Sequence, residues 1–580
     1  MPVADRKTWG SLPQRTVILA AVGVVLFSCA LDALFYTGYY ASDDTGYLIG
    51  TWKILEHGDL SANPGAAQIR LTVVGWNLLV SFLFGFKIPL IAASYIVFHQ
   101  VLNVLTFALA RRVFDDTVGL LAMYCVATLP LAVTFSTTVL PDLPMTCFLL
   151  IAILAFRGSY GWRTAGKPVR SLLAILAAGL SIGLAYMAKE TALIMLPFFF
   201  GWWLYQESRR AVRTALVAGS VFVLGLVVVF VAEWAILSHL TGHSFVRMAW
   251  TLTPDGFVDR MREYPYGLYP LERMQSILPR LEPWFVNTRF EFVLAAVILV
   301  YPFVRGRKLA LWFAAVWFVV YYTWGSMRLT EYLPAPLQPR YYLPALPLLL
   351  ILYAFVVVRM CRAIPQVIRD REVCRGIQAV IAVILIIYPL PGLHRCDRAA
   401  GKAYWADVVN NSTTAITAAR LAGGRPIVLS GTVSAHVDLL LAQEHVEDVL
   451  LASACRPGTP EYETLAERGF YYIELWPPRK LHVTPRFKVN GVDEFLHPLV
   501  IPPETDEAAW QNTIAPDEKQ MQTLGRVSIA GQPGTLRRLR RFDSWHKRTA
   551  QIAYVITQAA GTWPDLIKRS AYLYEWVPDR

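Results

Sequence analysis

Long apolar segments recur along the first 392 residues of the chain. Runs of about 16 to 25 mainly apolar residues follow one another from residue 16 onwards, and about 20 such residues cross the hydrocarbon core of a bilayer as a helix. The pattern predicts membrane-spanning helices at residues 16–36, 88–110, 118–140, 142–157, 171–188, 190–206, 214–238, 289–305, 308–324, 341–358 and 376–392.

Basic residues indicate the orientation of these helices. Lys and Arg are enriched in cytoplasmic loops, and with the predicted spans all the basic clusters fall on one side: 6–15, 111–112, 157–170, 209–213, 305–308 and 359–375. We therefore predict a cytoplasmic N-terminus and an extracytoplasmic segment after residue 392. The first span is long and no small-residue cleavage site follows it, so we expect a retained anchor.

Residues 69–86, IRLTVVGWNLLVSFLFGF, are apolar enough to form a further span. A crossing there would move Arg111, Arg112 and several later basic clusters to the outer side. We therefore interpret this segment as a helix that lies at the outer interface or dips into it. A crossing remains the alternative interpretation.

From about residue 393 to residue 545 the chain changes to a soluble composition. Three segments predict buried strands (425–431, 448–453 and 470–476), and the segments 435–445 and 459–469 predict helices between them, the second ending at Gly469. This alternation predicts an α/β domain with parallel strands. Residues 525–542 predict a hairpin, and the tail 543–580 predicts an amphipathic helical segment. The domain has no GxGxxG or Walker motif.

Composition supports the fold class. With 55% hydrophobic and 17% charged residues, the chain is predicted to be an α-helical polytopic membrane protein over residues 1–392 with an extracytoplasmic α/β domain at 393–580. The net charge of +12 comes from basic residues at the ends of spans, so no nucleic-acid partner is expected. The seven cysteines show no CxxC spacing, and we assign no disulfide or metal site to them.

Polar side chains gather at the predicted outer face. They are Asp43, Asp44, Asp142, Lys189, Glu190 and Arg340, and the loop 239–288 lies on the same side. Such a gathering marks a site more often than packing. A carboxylate there can act as a general base, while Arg and Lys can hold a phosphate. Because ATP and nucleotide sugars are absent outside, an activated donor would arrive through the lipid as a polyprenyl phosphate.

Six segments occur in a characteristic order: SDDTGYLIGTWKILEHGDL (42–60), IRLTVVGWNLLVSFLFG (69–85), FALARRVFDD (107–116), STTVLPDLPMTCFLL (136–150), YMAKETALIMLP (186–197) and RYYLPALPLLL (340–350). In this order and spacing they resemble the GT-C class of polyprenyl-phosphate-sugar glycosyltransferases. The similarity is greatest to the aminoarabinose lipid A transferases and the protein O-mannosyltransferases.

The resemblance implies sugar transfer from a polyprenyl-phosphate donor to a lipid, glycan or protein acceptor, by inverting displacement at the outer face of a bacterial inner membrane. It implies Asp43 as general base and catalytic roles for Asp44 and Asp142. The other implied roles are donor-phosphate contacts at Arg70, Lys189 and Arg340, substrate contacts at Tyr47, Glu190 and Tyr341, and ligands of a divalent metal ion at His239 and His243.

These residues also have structural interpretations. Asp43 and Asp44 are placed to cap the helix that follows them, as Asp142 is placed to cap the next span. Lys189 and Glu190 suit an interfacial pair whose lysine extends to the membrane surface, and Tyr47 suits packing. HLTGH contains a glycine, which argues against the helix that an HxxxH metal pair requires.

Two other functions stay open. A transporter or flippase of lipid-linked glycans would place ionisable groups at mid-span and show inverted repeats. Asp32 and Glu233 instead lie near the outer ends of predicted spans, and no repeat is found. A scaffold that acts through its outer domain would leave the acids at the membrane face unexplained.

Overall fold

The computed structural model describes residues 13–36, 43–60, 64–207, 212–247, 290–304, 306, 308–326, 339–368, 370–387, 425–429, 449–451, 465, 467–474, 522–529, 532–543 and 570–579. The chain divides into two compact units. One comprises residues 1–39 and 46–401, and the other comprises residues 40–45 and 402–580.

The described residues up to 387 form fifteen α-helices: α1 (Gln14–Leu34), α2 (Asp43–His57), α3 (Leu71–Phe84), α4 (Ile88–Ser94), α5 (Ile96–Val113), α6 (Asp116–Ala127), α7 (Pro130–Phe135), α8 (Asp142–Thr164), α9 (Pro168–Ala188), α10 (Leu196–Glu207), α11 (Val212–Thr241), α12 (Phe290–Val300), α13 (Leu309–Trp324), α14 (Leu346–Val367) and α15 (Arg371–Ile387). Short 3-10 helices occur at Glu190–Met195, Tyr301–Phe303 and Pro339–Tyr342.

Six described segments are long and apolar enough to cross a membrane: Gln14–Leu34, Leu90–Val113, Asp142–Thr164, Pro168–Ala188, Leu216–Thr241 and Leu346–Val367. Their outward side chains are apolar; Leu26 of α1, for example, is 65% exposed. Apolar surface of this extent is covered by lipid or by another protein. The chain is therefore a multi-pass helical membrane protein, as predicted, while the orientation of its termini stays a prediction.

Residues 118–140 and residues 69–86 do not form single helices long enough to span a membrane. Residues 118–140, predicted as one helix, form α6 and α7, because Pro130 lacks the backbone N–H that a continuous helix would use. The segment 69–86 forms α3, whose 14 residues are about 21 Å long, shorter than the hydrocarbon core. This length agrees with an interfacial position for α3.

Helices α9 and α11 approach closely through glycines. A Cβ atom on Gly179 would lie 2.1 Å from the backbone oxygen of Phe222, and one on Gly225 would lie 2.6 Å from the backbone oxygen of Leu176. Small residues permit this backbone contact between membrane helices. The contact fixes the position of α9, whose C-terminal end precedes Lys189.

A buried polar network connects α1 with α5. The Nδ1 atom of His99 lies 2.9 Å from Oδ1 of Asp32, and both side chains are fully buried. Gln100 donates to Asp32 at 2.8 Å, and Asn103 donates to Ser28 at 3.0 Å. Buried polar groups in a membrane require such partners, so this network fixes the first helix against the fifth.

The described part of the C-terminal unit contains a six-stranded sheet of order β2-β1-β3-β6-β5-β4. Its strands are β1 (Ile427–Leu429), β2 (Val449–Leu451), β3 (Phe470–Glu474), β4 (Gln522–Ile529), β5 (Gln532–Asp543) and β6 (Ser570–Pro578). Strand β1 is parallel to β2 and β3, and β4 with β5 forms the predicted hairpin. Gly469 has φ of +72°, and its N–H donates to Leu465, which confirms the predicted helix end. The predicted helix at 435–445 lies outside the described residues.

The predicted helical tail is wrong for the last residues of the chain. Ser570–Pro578 forms β6, which is antiparallel to β3 on one side and to β5 on the other. The alternating side chains of SAYLYEWVP suit a pleated strand with two partners. Residues 544–569 of the predicted tail lie outside the described residues.

The α9–α11 contact generates a stability prediction. Gly179→Ala places a methyl group against a backbone oxygen of α11, so we expect a loss of about 1–3 kcal/mol in unfolding free energy from overpacking. Gly23→Ala is the control, because a Cβ atom there meets nothing within 4 Å. Thermal unfolding in detergent measures both variants, and equal midpoints would contradict the close contact.

Candidate functional site

A buried ion pair joins the beginning of α8 to the end of α9. The Nζ atom of Lys189 lies 2.7 Å from Oδ1 of Asp142, and the two side chains are 6% and 0% exposed. Asp142 is the first residue of α8, and Lys189 follows the last residue of α9 in an extended conformation. The other carboxylate oxygen of Asp142, Oδ2, is buried without a hydrogen-bond partner among the described residues.

Two residues before α14 complete this part of the site. Lys189 Nζ lies 3.9 Å from the ring centroid of Tyr341, and Arg340 Cζ lies 5.4 Å from the same centroid. Tyr322 of α13 stacks on Tyr341 with centroids 6.0 Å apart. Cations are attracted to aromatic faces at these distances. The ring of Tyr341 thus holds two cations near each other.

The surroundings of Lys189 weaken its hold on a proton. The pKa of the Lys189 ammonium is lowered to about 8, chiefly by burial and also by the nearby Arg340 and Arg70, while Asp142 acts in the opposite direction. Desolvation disfavours a charged amine, and like charges add to that effect. Lys189 lies between α9 and the following 3-10 helix, outside the spanning helices.

A second branch of the site begins at Glu190. Arg70, which precedes α3, places Nη2 3.1 Å from Glu190 Oε2 and donates from Nη1 to the Tyr47 hydroxyl at 2.5 Å. Tyr47 of α2 is fully buried. The consecutive residues Lys189 and Glu190 therefore contact different partners. The chain changes from α9 to a 3-10 helix at this point, so the two side chains extend in different directions.

The structure adds Arg247 and Glu233, which sequence reasoning did not place in the site. Arg247 Nη2 lies 2.8 Å from Glu190 Oε1 and donates to the backbone oxygen of Tyr186 at 2.9 Å. Its Nη1 atom donates to Glu233. The sequence did indicate a partner for Glu233, because a carboxylate in the apolar helix α11 requires one. Arg247 follows α11 without a local motif that would have identified it.

These residues form one group, which we call the charged cluster: Arg70, Asp142, Lys189, Glu190, Glu233, Arg247 and Arg340. The described residues of the cluster supply four cations and three carboxylates, so positive charge is in excess. Guanidinium and ammonium groups in this arrangement can hold an anion such as a phosphate. A cavity of about 370 Å³ lies beside the cluster and is lined in part by Glu233, Arg247, Trp234 and Phe245.

The predicted acids of the first loop have different positions. Asp43 is the first residue of α2, one helical turn before Tyr47, and its side chain lies outside the described residues. Asp44 is 1% exposed, and its Oδ1 accepts from the backbone N–H of Thr45 at 3.1 Å. This bond joins Asp44 to the next residue of the same helical turn, and the catalytic roles of both acids stay predictions.

The predicted metal ligands do not form a metal site among the described residues. His239 lies in the last turn of α11, whereas His243 follows Gly242, whose φ of +70° ends the helix. The two imidazoles therefore do not share a helical face. No three His, Cys, Asp or Glu side chains in the described part of the chain gather to hold a metal.

The chain is a multi-pass helical membrane protein with a buried, cation-rich cluster where its helices end. Residues 73–234 match the family model described as dolichyl-phosphate-mannose-protein mannosyltransferase, which confirms the resemblance over that segment. The match includes Asp142, Lys189, Glu190 and Glu233. No curated protein sequence matches the chain.

Three solved structures show a partial likeness to this chain at low sequence identity. ArnT from Cupriavidus metallidurans bound to undecaprenyl phosphate is 13% identical, with a TM-score of 0.49 over 82% of this chain and 95% of that chain. The oligosaccharyltransferase AglB from Archaeoglobus fulgidus, in complex with an inhibitory peptide and a dolichol-phosphate, is 13% identical with a TM-score of 0.46, over 78% and 69%. The A. fulgidus oligosaccharyltransferase in complex with Zn and sulfate is 15% identical with a TM-score of 0.48, over 78% and 67%.

The buried ion pair generates a prediction about single and double variants. Lys189→Met leaves the Asp142 carboxylate buried without its cation, so we expect a loss of about 3–5 kcal/mol in unfolding free energy. The double variant Asp142→Leu with Lys189→Met removes both charges and should regain most of that loss. Unfolding in detergent measures both. Equal stability of the single and double variants would show that the two charges are not coupled.

Proposed function

We propose that this protein transfers a sugar from a polyprenyl-phosphate donor to an acceptor at the extracytoplasmic face of the membrane. The observation that carries the proposal is the buried Asp142–Lys189 pair beside Arg340 and Tyr341, where cations exceed carboxylates. The family match over residues 73–234 supports the same class of donor. Residues at the ends of membrane helices suit a donor whose lipid chain stays in the bilayer.

The donor phosphate is the leaving group of the proposed reaction. An acceptor hydroxyl oxygen forms a bond to the anomeric carbon while the bond from that carbon to the phosphate oxygen breaks. The electron pair of the broken bond remains on the polyprenyl phosphate, and the hydroxyl proton passes to a carboxylate. Single displacement inverts the anomeric centre. Preorganised cations that neutralise the departing phosphate lower the barrier.

Lys189, Arg340 and Arg70 are the proposed phosphate contacts. Burial of Lys189 and its contact with Tyr341 fix its ammonium before the donor arrives, so little ordering is required on binding. Glu190 and Tyr47 fix the guanidinium of Arg70 and act as positioning residues. Oδ2 of Asp142 is buried without a hydrogen-bond partner among the described residues, so it can accept from a substrate hydroxyl.

Asp43 is the proposed general base. The resemblance of the segment SDDTGYLIGTWKILEHGDL (42–60) to the acidic first loop of the GT-C class supports the assignment. Asp44, buried and bonded to the backbone of Thr45, suits a role in fixing the start of this helix. His239 and His243 do not share a helical face, so the proposed mechanism gives them no role as metal ligands.

The proposed location is a bacterial inner membrane, with the N-terminus in the cytoplasm and residues 393–580 outside. The positive-inside distribution of basic residues supports this orientation. The acceptor is a lipid, a glycan or a protein. The sheet of the C-terminal unit would then lie on the same side as the acceptor.

Replacement of Asp43 tests the base. We expect Asp43→Asn to lower transfer by about 10²–10⁴-fold, the usual contribution of a general base, while the protein still folds. The assay uses purified protein with a labelled polyprenyl-phosphate sugar and measures the released polyprenyl phosphate. Asp59→Asn is the matched control, because Asp59 is an exposed acid just after the same helix, and it should keep full activity.

The outcomes separate the competing functions. Near-normal transfer by Asp43→Asn would exclude Asp43 as the base but leave the reaction class intact. Donor binding and movement across vesicles without release of lipid phosphate, for any acceptor supplied, would instead favour a flippase and contradict the proposed transfer.

Donor affinity should depend on pH through Lys189. With a pKa of about 8, the ammonium is charged below pH 8 and only roughly a tenth charged at pH 9. Binding of a phosphodiester donor, whose own charge is constant over this range, should therefore weaken by roughly tenfold from pH 7 to pH 9. Lys189→Arg remains charged throughout, and its affinity should be flat. Parallel pH profiles of the two proteins would exclude Lys189 as a phosphate contact.

A further inference from the structure

A second cavity lies on the same helix as Asp142 but near its other end. It measures about 300 Å³, and its lining includes Arg112, Arg157, Phe156, Tyr160, Trp162 and Trp202. Fifteen residues of α8 separate Asp142 from Arg157, which corresponds to about 22 Å along the helix. The cavity is therefore separate from the charged cluster.

Two arginines converge in this cavity. Arg157 Nη2 donates to the backbone oxygen of Arg112 at 3.3 Å. The Arg112 guanidinium lies against Gly158, where a Cβ atom would be 3.4 Å from its Nη1. The missing side chain at Gly158 thus lets Arg112 approach α8 beside Arg157.

These two guanidinium groups differ from their basic neighbour. Arg111 is paired with Asp116 at 2.5 Å, whereas neither Arg112 nor Arg157 forms an ion pair with any residue that the structure describes. Two like charges held together repel each other, and a bound anion removes that repulsion. A phosphate group accepts several guanidinium hydrogen bonds at once.

The rest of the surroundings suits a lipid. Tyr160 and Trp162 are 41% and 37% exposed, and Tyr and Trp concentrate at the membrane–water interface. Phe156 also lines a small apolar recess of about 20 Å³, whose other walls include Ile175, Phe199 and Phe200. This recess is too small for an acyl chain, but Phe200 is 40% exposed, so apolar surface that a bilayer can cover lies beside the charged cavity.

We propose that this cavity binds an anionic phospholipid, with the headgroup phosphate between Arg112 and Arg157 and the acyl chains in the bilayer against the exposed apolar surface beside Phe156. Basic pockets between membrane helices bind anionic headgroups in this way. The interfacial aromatic side chains and the adjoining exposed Phe200 favour a membrane lipid over free phosphate, which has no apolar part to bury. The proposal does not depend on the proposed sugar transfer.

The test compares lipids that remain bound to the purified full chain. The protein is reconstituted in nanodiscs of phosphatidylcholine and phosphatidylglycerol in equal amounts, and native mass spectrometry measures which lipids it retains on release. We expect preferential retention of phosphatidylglycerol. R112Q/R157Q should reduce this preference by roughly 30-fold, from the loss of two cations near an anionic headgroup.

A matched control separates this cavity from general basic charge. K167Q/R170Q removes two exposed basic residues near the same helix ends that do not line the cavity, and it should keep the preference. If the double arginine variant fails to fold, R112Q alone changes an exposed side chain and should reduce the preference severalfold.

Three results would overturn the proposal. The first is equal retention of the two lipids by the unmodified protein. The second is equal loss of preference in the arginine and control variants. The third is displacement of phosphatidylglycerol by millimolar inorganic phosphate, which would identify a site for free phosphate instead of a lipid.

Discussion

The ion pair between Asp142 and Lys189 is the contact on which the arrangement of the site depends. Each charge is buried and would be costly without the other, so the start of α8 and the end of α9 must stay together. Because Lys189 leaves the helix in an extended conformation, Glu190 contacts Arg70 and Arg247. The end of α9 therefore joins the two parts of the charged cluster, one around Asp142 and the other around Glu190.

The cluster is held together internally and still carries excess positive charge. Arg247 contacts both Glu190 and Glu233, so these acids are largely occupied with fixing its position. Burial lowers the pKa of Lys189, and the positive charges of Arg340 and Arg70 act in the same direction. An anion that enters the cluster meets groups already in place, so it gains Coulomb energy without the cost of assembling them.

The sequence predicted much of this site because its residues flank apolar segments. Asp142, Lys189 and Arg340 lie where predicted spans begin or end, and helix ends on the same side of a membrane lie at similar depth. The role of Arg247 could not be predicted from the sequence, because its partners are 14 and 57 residues away and no motif joins them. The strand β6 was missed for another reason: SAYLYEWVP is amphipathic, and its two partner strands decided its conformation.

Charged residues near the two ends of helix α8 have different kinds of partner. At Asp142 the cation belongs to a neighbouring helix end, and both side chains of the pair are buried. Near the other end, Arg157 lies beside Arg112, and the structure describes no carboxylate paired with either. A membrane protein tolerates an uncompensated pair of arginines where water and headgroups reach them, but not deep in its interior. The burial of Asp142 therefore required a built-in partner, whereas the arginines can take theirs from the bilayer.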